Sequence, residues 1–260
     1  MREYDDTGAQ FYDYYAKGVE GDVDFYVEEA QSADGPVLEL GCGTGRVIVP
    51  IAEAGIEVVG LDQSVAMLDV ARQRISRCDA EVQKRVELID GDMRDFWLGR
   101  RFERILIPFR SFLHLLTVED QKQALRRIHE HLTDNGRFVF NIFDPNLQMI
   151  VEHSGSLGSS VKKESDFVHP ETERQVILSD TRHYDIERQI IEQYYIFEEL
   201  DDDGYVVSKH YSHMTLRYIF RYEMEHLLEL CGFQVEALYG DFKRGPFVRG
   251  GEQIWLARKV

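Results

Sequence analysis

From about residue 36 the chain alternates short β-rich apolar runs with stretches of helical period, the pattern of a parallel sheet with helices on its faces. The first run, Val37 to Leu40, passes through glycines into a helix with Val47, Ile48, Ile51 and Ala52 on one side. Glu57 to Leu61 predicts the second strand. Ser64 suits the N-cap of the next helix, whose apolar face is Leu68, Ala71 and Ile75. Val86 to Ile89 and Arg104 to Ile107 predict the third and fourth strands. Thr117 and Asp120 predict a capping box for a helix with Leu125, Ile128 and Leu132 inward. Asn135-Gly136 then predicts a turn into a fifth strand, Arg137 to Ile142.

The rhythm changes after Pro145. Residues 154–160 (SGSLGSS) read as a loop, and three β-branched and aromatic stretches follow, at 174–184, 189–200 and 205–219. Asp201-Asp202-Asp203-Gly204 between the last two suits a hairpin turn. Residues 151–219 thus predict an antiparallel β insert within a single domain over 1–260. A helix with Phe220, Met224, Leu227, Leu228 and Cys231, closed by Gly232, restores the first rhythm. Strands near 233–239 and 253–258 end the chain.

Composition narrows the setting. No apolar run reaches the length of a bilayer span, and the start of the chain lacks a signal-peptide core, so a cytoplasmic protein with no membrane partner is expected. The formal charge of −17 disfavours a nucleic-acid partner, and the pairs Arg100-Arg101 and Arg126-Arg127 read as solvated surface. The three cysteines are far apart and form no Cys-x-x-Cys pair, so neither a metal site nor a disulfide framework is indicated.

The chemistry concentrates at three predicted strand ends. Glu39-Leu40-Gly41-Cys42-Gly43-Thr44-Gly45-Arg46 lies between a strand and a helix, where glycines let the backbone turn sharply and approach a ligand. Its third glycine comes one residue earlier than in the G-x-G-x-x-G dinucleotide fingerprint, and an acid stands two residues upstream. Asp62 ends the second strand, where a carboxylate can accept ribose hydroxyls. Gly91-Asp92-Met93 follows the third strand, where an acid and an apolar side chain suit the edge and face of a base. Each acid alone is more often a strand-end or capping carboxylate. Three such features at successive strand ends point to a nucleoside site.

ELGCGTGR, VVGLDQS and LIDGDMRDF resemble motifs I, II and III of the class I S-adenosylmethionine-dependent methyltransferases. The resemblance covers roughly residues 10–145 and, less specifically, the closing helix and strands. It implies an α/β, Rossmann-like fold: a seven-stranded, mostly parallel sheet with helices on both faces, its last strand antiparallel, plus the antiparallel β insert. Residue by residue it implies Glu39 near the methionine amino group, and Gly41, Cys42 and Gly43 along the cofactor. It further implies Asp62 on the ribose, and Asp92 with Met93 and Gln63 around the adenine. The run Ile107-Pro108-Phe109-Arg110-Ser111-Phe112-Leu113-His114 resembles the segment after the fourth strand in small-molecule methyltransferases, including those acting on amines and amino sugars. Phe109 then lines the methionine part and His114 is the candidate to receive the acceptor's proton, although an ordinary packing histidine reads the same way. Phe11-Tyr12-Asp13-Tyr14-Tyr15 resembles the opening helix of these enzymes, with Tyr12 and Tyr15 as aromatic faces toward the sulfonium and Tyr15 as a second catalytic candidate, although a tyrosine-rich helix packing on the core reads the same way.

The resemblance implies methyl transfer from S-adenosylmethionine to a nitrogen or oxygen of a small molecule, with S-adenosylhomocysteine as product. A nicotinamide-dependent oxidoreductase and a non-catalytic S-adenosylmethionine-binding module are the alternatives. A DNA amino-methylase is disfavoured, because no Asp/Asn-Pro-Pro-aromatic run follows the fourth strand. The insert suits either a substrate cover or a homodimer surface. Its strands carry Arg182, His183, Tyr194, Tyr195, His210, Tyr211, His213 and Arg217, of which alternation lets about half share a face.

Overall fold

The computed structural model describes residues 6–154 and 160–260, so residues 155–159 of the expected loop lie outside the described residues. The chain divides into two compact units. The first helix, α1 (Asp6–Tyr15), belongs with residues 146–217; Gly18–Pro145 and Tyr218–Val260 form the other unit.

That larger unit holds a seven-stranded sheet. Its strands up to residue 143 are β1 (Val37–Leu40), β2 (Val58–Asp62), β3 (Val86–Asp90), β4 (Phe102–Ile107) and β5 (Leu132–Phe143). The helices are α2 (Asp22–Gln31), α3 (Ile48–Glu53), α4 (Val65–Ser76), α5 (Ala80–Gln83) and α6 (Val118–His131). After the second unit, with its helix α7 (Leu147–His153) and strands β6 (Lys162–Val168), β7 (Gln175–Asp185), β8 (Ile190–Leu200) and β9 (Val206–Arg217), come α8 (Arg221–Leu230), β10 (Phe233–Tyr239) and β11 (Glu252–Lys259). The sheet order is β10-β11-β5-β4-β1-β2-β3. β11 runs antiparallel to β5 and to β10, and the pairs among β1 to β5 are parallel. Strand succession reverses between β1 and β4, and in open parallel sheets it is at the carboxyl ends of the strands flanking such a reversal that ligands bind.

Local chemistry explains the boundaries. Every residue of β1 is buried, as a central parallel strand covered on both faces requires. Ser64 Oγ accepts the Met67 N–H at 3.3 Å and Thr117 Oγ1 accepts the Asp120 N–H at 3.1 Å, which caps α4 and α6 where the sequence predicts. Phe25, Tyr26, Ile48, Ile51, Val58, Leu106, Val139 and Ile254 join helices and strands in one apolar core. Two expectations are corrected. Leu132, predicted on the inward face of a helix, heads β5 and pairs with Phe102, because the strand offers this buried side chain a ladder partner. The predicted Asn135-Gly136 turn falls inside β5, where the register with β4 shifts before Arg104 pairs with Arg137. Among the described residues no helix is long and apolar enough to cross a membrane.

The smaller unit is an antiparallel sheet of order β6-β7-β8-β9. Its first strand and α7 have no counterpart in the pattern reading, because β6 (KKESDFV) is largely exposed and offers few apolar positions. Gly204, at φ +84°, turns β8 into β9 while Asp201 Oδ1 accepts the Asp203 and Tyr205 N–H groups. Register sorts the side chains left open by alternation. Arg182, Tyr195 and His210 share a face with Asp180, Gln193 and Phe197; His183, Tyr194, Tyr211, His213 and Arg217 take the other. α1 packs on the first of these faces, with Phe11 5.5 Å from Phe197 and Tyr15 5.2 Å from Tyr195 between ring centroids.

Candidate functional site

The loop after β1 is shaped by glycines that no other residue replaces without strain. Gly41 sits at φ +70°, and a Cβ there would stand 2.8 Å from Ser111 Cβ and 3.6 Å from Met93 Cε. The close approach brings together the loops after β1, β3 and β4. Gly43, at φ +52°, has open space where a Cβ would point. Its N–H donates to Asp62 Oδ2 at 2.8 Å, while the Ser64 N–H donates to Oδ1 at 2.8 Å. Burial raises the Asp62 carboxyl above its usual range, and these two N–H groups and His114 work against that rise.

Glu39, at 2% exposure, lies under this loop on β1, and its Oε2 has no hydrogen-bond partner among the described residues. Burial pushes its carboxyl up to about 8, with Asp62 and Asp22 adding to the rise and Arg46 opposing it. A buried carboxylate oxygen lacking a donor is costly unless something supplies one. A ligand ammonium group would. Arg46 is occupied elsewhere, donating to both oxygens of Asp22 at 2.8 and 2.6 Å and lying 5.0 Å over the Phe109 ring.

Asp92 stands at the third strand end, clasped by Arg94. The Arg94 N–H reaches Oδ1 at 2.8 Å, and its guanidinium reaches Oδ2 at 2.6 Å through Nη2 and at 2.9 Å through Nε. Arg94 Nη1 also donates to Asp120 Oδ1 at 3.0 Å, anchoring the loop to α6. Burial alone would raise Asp92, but the hydrogen bonds from Arg94 hold it below the ordinary carboxylate range. Arg94 is a residue the motif reading passed over; its signal was the two-residue offset from Asp92 that lets a side chain bond its own downstream backbone.

The remaining candidates fall in different places. Cys42 buries its thiol against β2, with Sγ 2.8 Å from where a Cβ on Gly60 would stand, so only its main chain is left for a ligand. Gln63 is exposed. Phe109 is half-buried beside Arg46, and His114 ends a 3-10 turn, Ser111–His114, near enough to Asp62 to act on its charge. Tyr12 and Tyr15 belong to the other unit and meet edge to face at 5.7 Å. Burial, with Tyr195 and Tyr12, raises the Tyr15 phenol, so its hydroxyl is a donor and not a base near neutral pH.

Residues 38–138 match the family model of a methyltransferase domain. That stretch is similar to a methyltransferase domain. The chain is 31% identical over 145 residues to the cypemycin N-terminal methyltransferase of a Streptomyces species, covering 55% of this chain and 57% of the relative. Over 103 residues it is 37% identical to the dTDP-3-amino-3,6-dideoxy-α-D-glucopyranose N,N-dimethyltransferase of Streptomyces fradiae, covering 40% of this chain and 37% of the relative. The matches therefore span little more than half of one curated relative and less of the other. The whole chain superposes on S-adenosylmethionine-bound CalS10, an amino pentose methyltransferase from Micromonospora echinaspora, with a TM-score of 0.68 at 20% identity, covering 100% of this chain and 99% of that one. That likeness is one of fold.

Proposed function

We propose that the chain transfers a methyl group from S-adenosylmethionine to an amine nitrogen of a small molecule. The observation that carries this reading is the buried Oε2 of Glu39, without a donor among the described residues, beneath a glycine loop tied to Asp62. Those residues fit a ligand with both a cationic and a ribose end. S-adenosylmethionine, when bound, supplies a methyl group already activated on a sulfonium.

In this reading Glu39 accepts from the amino group, the backbone of Gly41, Cys42 and Gly43 follows the methionine part, and Asp62 accepts from the ribose. Asp92, Met93 and Gln63 take the adenine, and Phe109 the methionine side. The protein's task is alignment of the acceptor with the methyl–sulfur axis and exclusion of water. Tyr12 and Tyr15 are proposed as aromatic shields and His114 as the group that takes a proton from an ammonium acceptor, an effect typically worth about 10² to 10⁴ in rate. The antiparallel unit is the part proposed to choose the acceptor.

Nitrogen is favoured over oxygen because the relatives described above are named for an N-terminus, an amino sugar and an amino pentose. The test is S-adenosylhomocysteine release against a panel of amino sugars, free amines and their hydroxyl analogues. Release with amines and none with the hydroxyl analogues supports the proposal; release confined to hydroxyl compounds overturns it.

A further inference from the structure

After β4 the backbone does something costly. Phe109 and Arg110, neighbours and neither a glycine, both lie in the left-handed region, at φ +49° and +70°. Such a conformation crowds Cβ against the carbonyl oxygen and persists only where the surroundings impose it. Pro108 precedes the pair and Ser111, pressed against Gly41, follows it.

A chain of buried polar groups from three separate elements converges on this turn. Asn141 on β5 and Tyr26 on α2 are fully buried at 0% exposure, and Glu252 on β11 is at 7%. Asn141 Oδ1 accepts both the Phe109 main-chain N–H and the Tyr26 hydroxyl, each at 2.8 Å. Asn141 Nδ2 donates to Glu252 Oε2 at 2.8 Å. Arg110 closes the chain, its Nε donating to Glu252 Oε1 at 3.2 Å and its Nη2 making a shorter bond to the same oxygen. Asn141 thus bonds one left-handed residue through its backbone, and Glu252 holds the next through its side chain. Polar side chains this deep in a sheet are tolerated only when satisfied, and here their partners converge on one turn.

We propose that Asn141 and Glu252 are positioning residues: together they hold Phe109 and Arg110 left-handed, which keeps Ser111 against Gly41 and the Phe109 ring beside Arg46 at the methionine end of the cofactor site. The inference rests on the function proposed above. Neither residue need touch the cofactor. They act through the main chain of the turn.

The test exploits glycine, which adopts positive φ freely, against valine, a β-branched residue for which that region is a severe outlier. Arg110→Gly and Arg110→Val are each made in a Glu252→Gln background, so both remove the same ion pair and leave no unpaired buried charge. Binding of S-adenosylhomocysteine is measured by calorimetry, with the unfolding midpoint of each variant alongside. The expected result is that the glycine variant binds at least about fivefold more tightly than the valine variant, the factor set by the left-handed penalty. Glu252→Gln alone is expected to weaken binding, and Asn141→Asp, which keeps the acceptor for Phe109 but sets a second carboxylate beside Glu252, to weaken it more as pH rises from 5 to 8. Equal affinity of the glycine and valine variants overturns the inference; if the valine variant does not fold, wild-type affinity in both Glu252→Gln and Asn141→Asp overturns it instead. Failure of the unaltered chain to bind S-adenosylhomocysteine at all overturns the proposed function, a different outcome.

Discussion

The Gly43 N–H donates to Asp62 at 2.8 Å, so one carboxylate joins the glycine loop after β1 to the end of β2. Its other oxygen takes the Ser64 N–H at the start of α4. A carboxylate has about four lone-pair sites, so each oxygen keeps one for the ribose hydroxyls proposed to bind there. Asp62→Ala removes both the acceptor and the tether, and is expected to weaken S-adenosylhomocysteine binding at least tenfold, about 1.4 kcal/mol. Asp62→Asn is expected to lose nearly as much, since its amide turns a donor toward one of two donors. Calorimetric affinities unchanged in both variants would refute the assignment.

Glu39 predicts a proton linkage. Its carboxyl lies at about 8 in the fold against an ordinary 4.5, so between those values the folded chain holds a proton that the unfolded chain has released. Stability from this group is therefore lost as pH rises from 4.5 toward 8. A bound ammonium favours the ionised form, so binding at pH 6.5 should release a proton. Heats of S-adenosylhomocysteine binding in two buffers of different ionisation enthalpy should differ for the unaltered chain and agree for Glu39→Gln. Agreement in both would show that Glu39 does not ionise on binding.

Two glycines of one loop should respond differently to alanine. At Gly43 the added Cβ meets open space, so only the positive φ is penalised, by about 1–2 kcal/mol. At Gly41 the same penalty comes with a clash 2.8 Å from Ser111. Chemical denaturation should show the larger loss for Gly41→Ala. The reverse order would mean that Ser111 does not press on this loop.

Arg94→Met should convert Asp92 from a fixed anion into a titrating one. Burial, no longer opposed by Arg94, raises its carboxyl, and protonation follows as pH falls. The variant's cofactor affinity should then be lower at pH 5 than at pH 7.5 by a larger factor than in the unaltered chain. Parallel pH profiles would remove Arg94 from the site.

The sheet and its order of elements were legible because apolar period changes between strands and helices, and because Ser64 and Thr117 mark helix starts by their own hydrogen bonds. The strand-end acids were legible for a different reason: Glu39, Asp62 and Asp92 recur at fixed places relative to successive apolar runs. Asn141 and Glu252 were not, since a polar residue inside an apolar strand carries no sign of the partner 111 residues away that satisfies it. Leu132 was not legible, because a leucine four residues after Ile128 suits a helix as well as a strand, and only pairing with Phe102 decides between them. Nothing in the spacing of Tyr12 and Tyr15 foretold that α1 would group with residues 146–217.

The site built from Glu39, the glycine loop and Asp62 is tested most directly by one calorimetric comparison of S-adenosylmethionine, S-adenosylhomocysteine and NAD on the unaltered chain. Saturable binding of both sulfur nucleosides with no heat from NAD is the expected result; binding of NAD with neither sulfur nucleoside would contradict it.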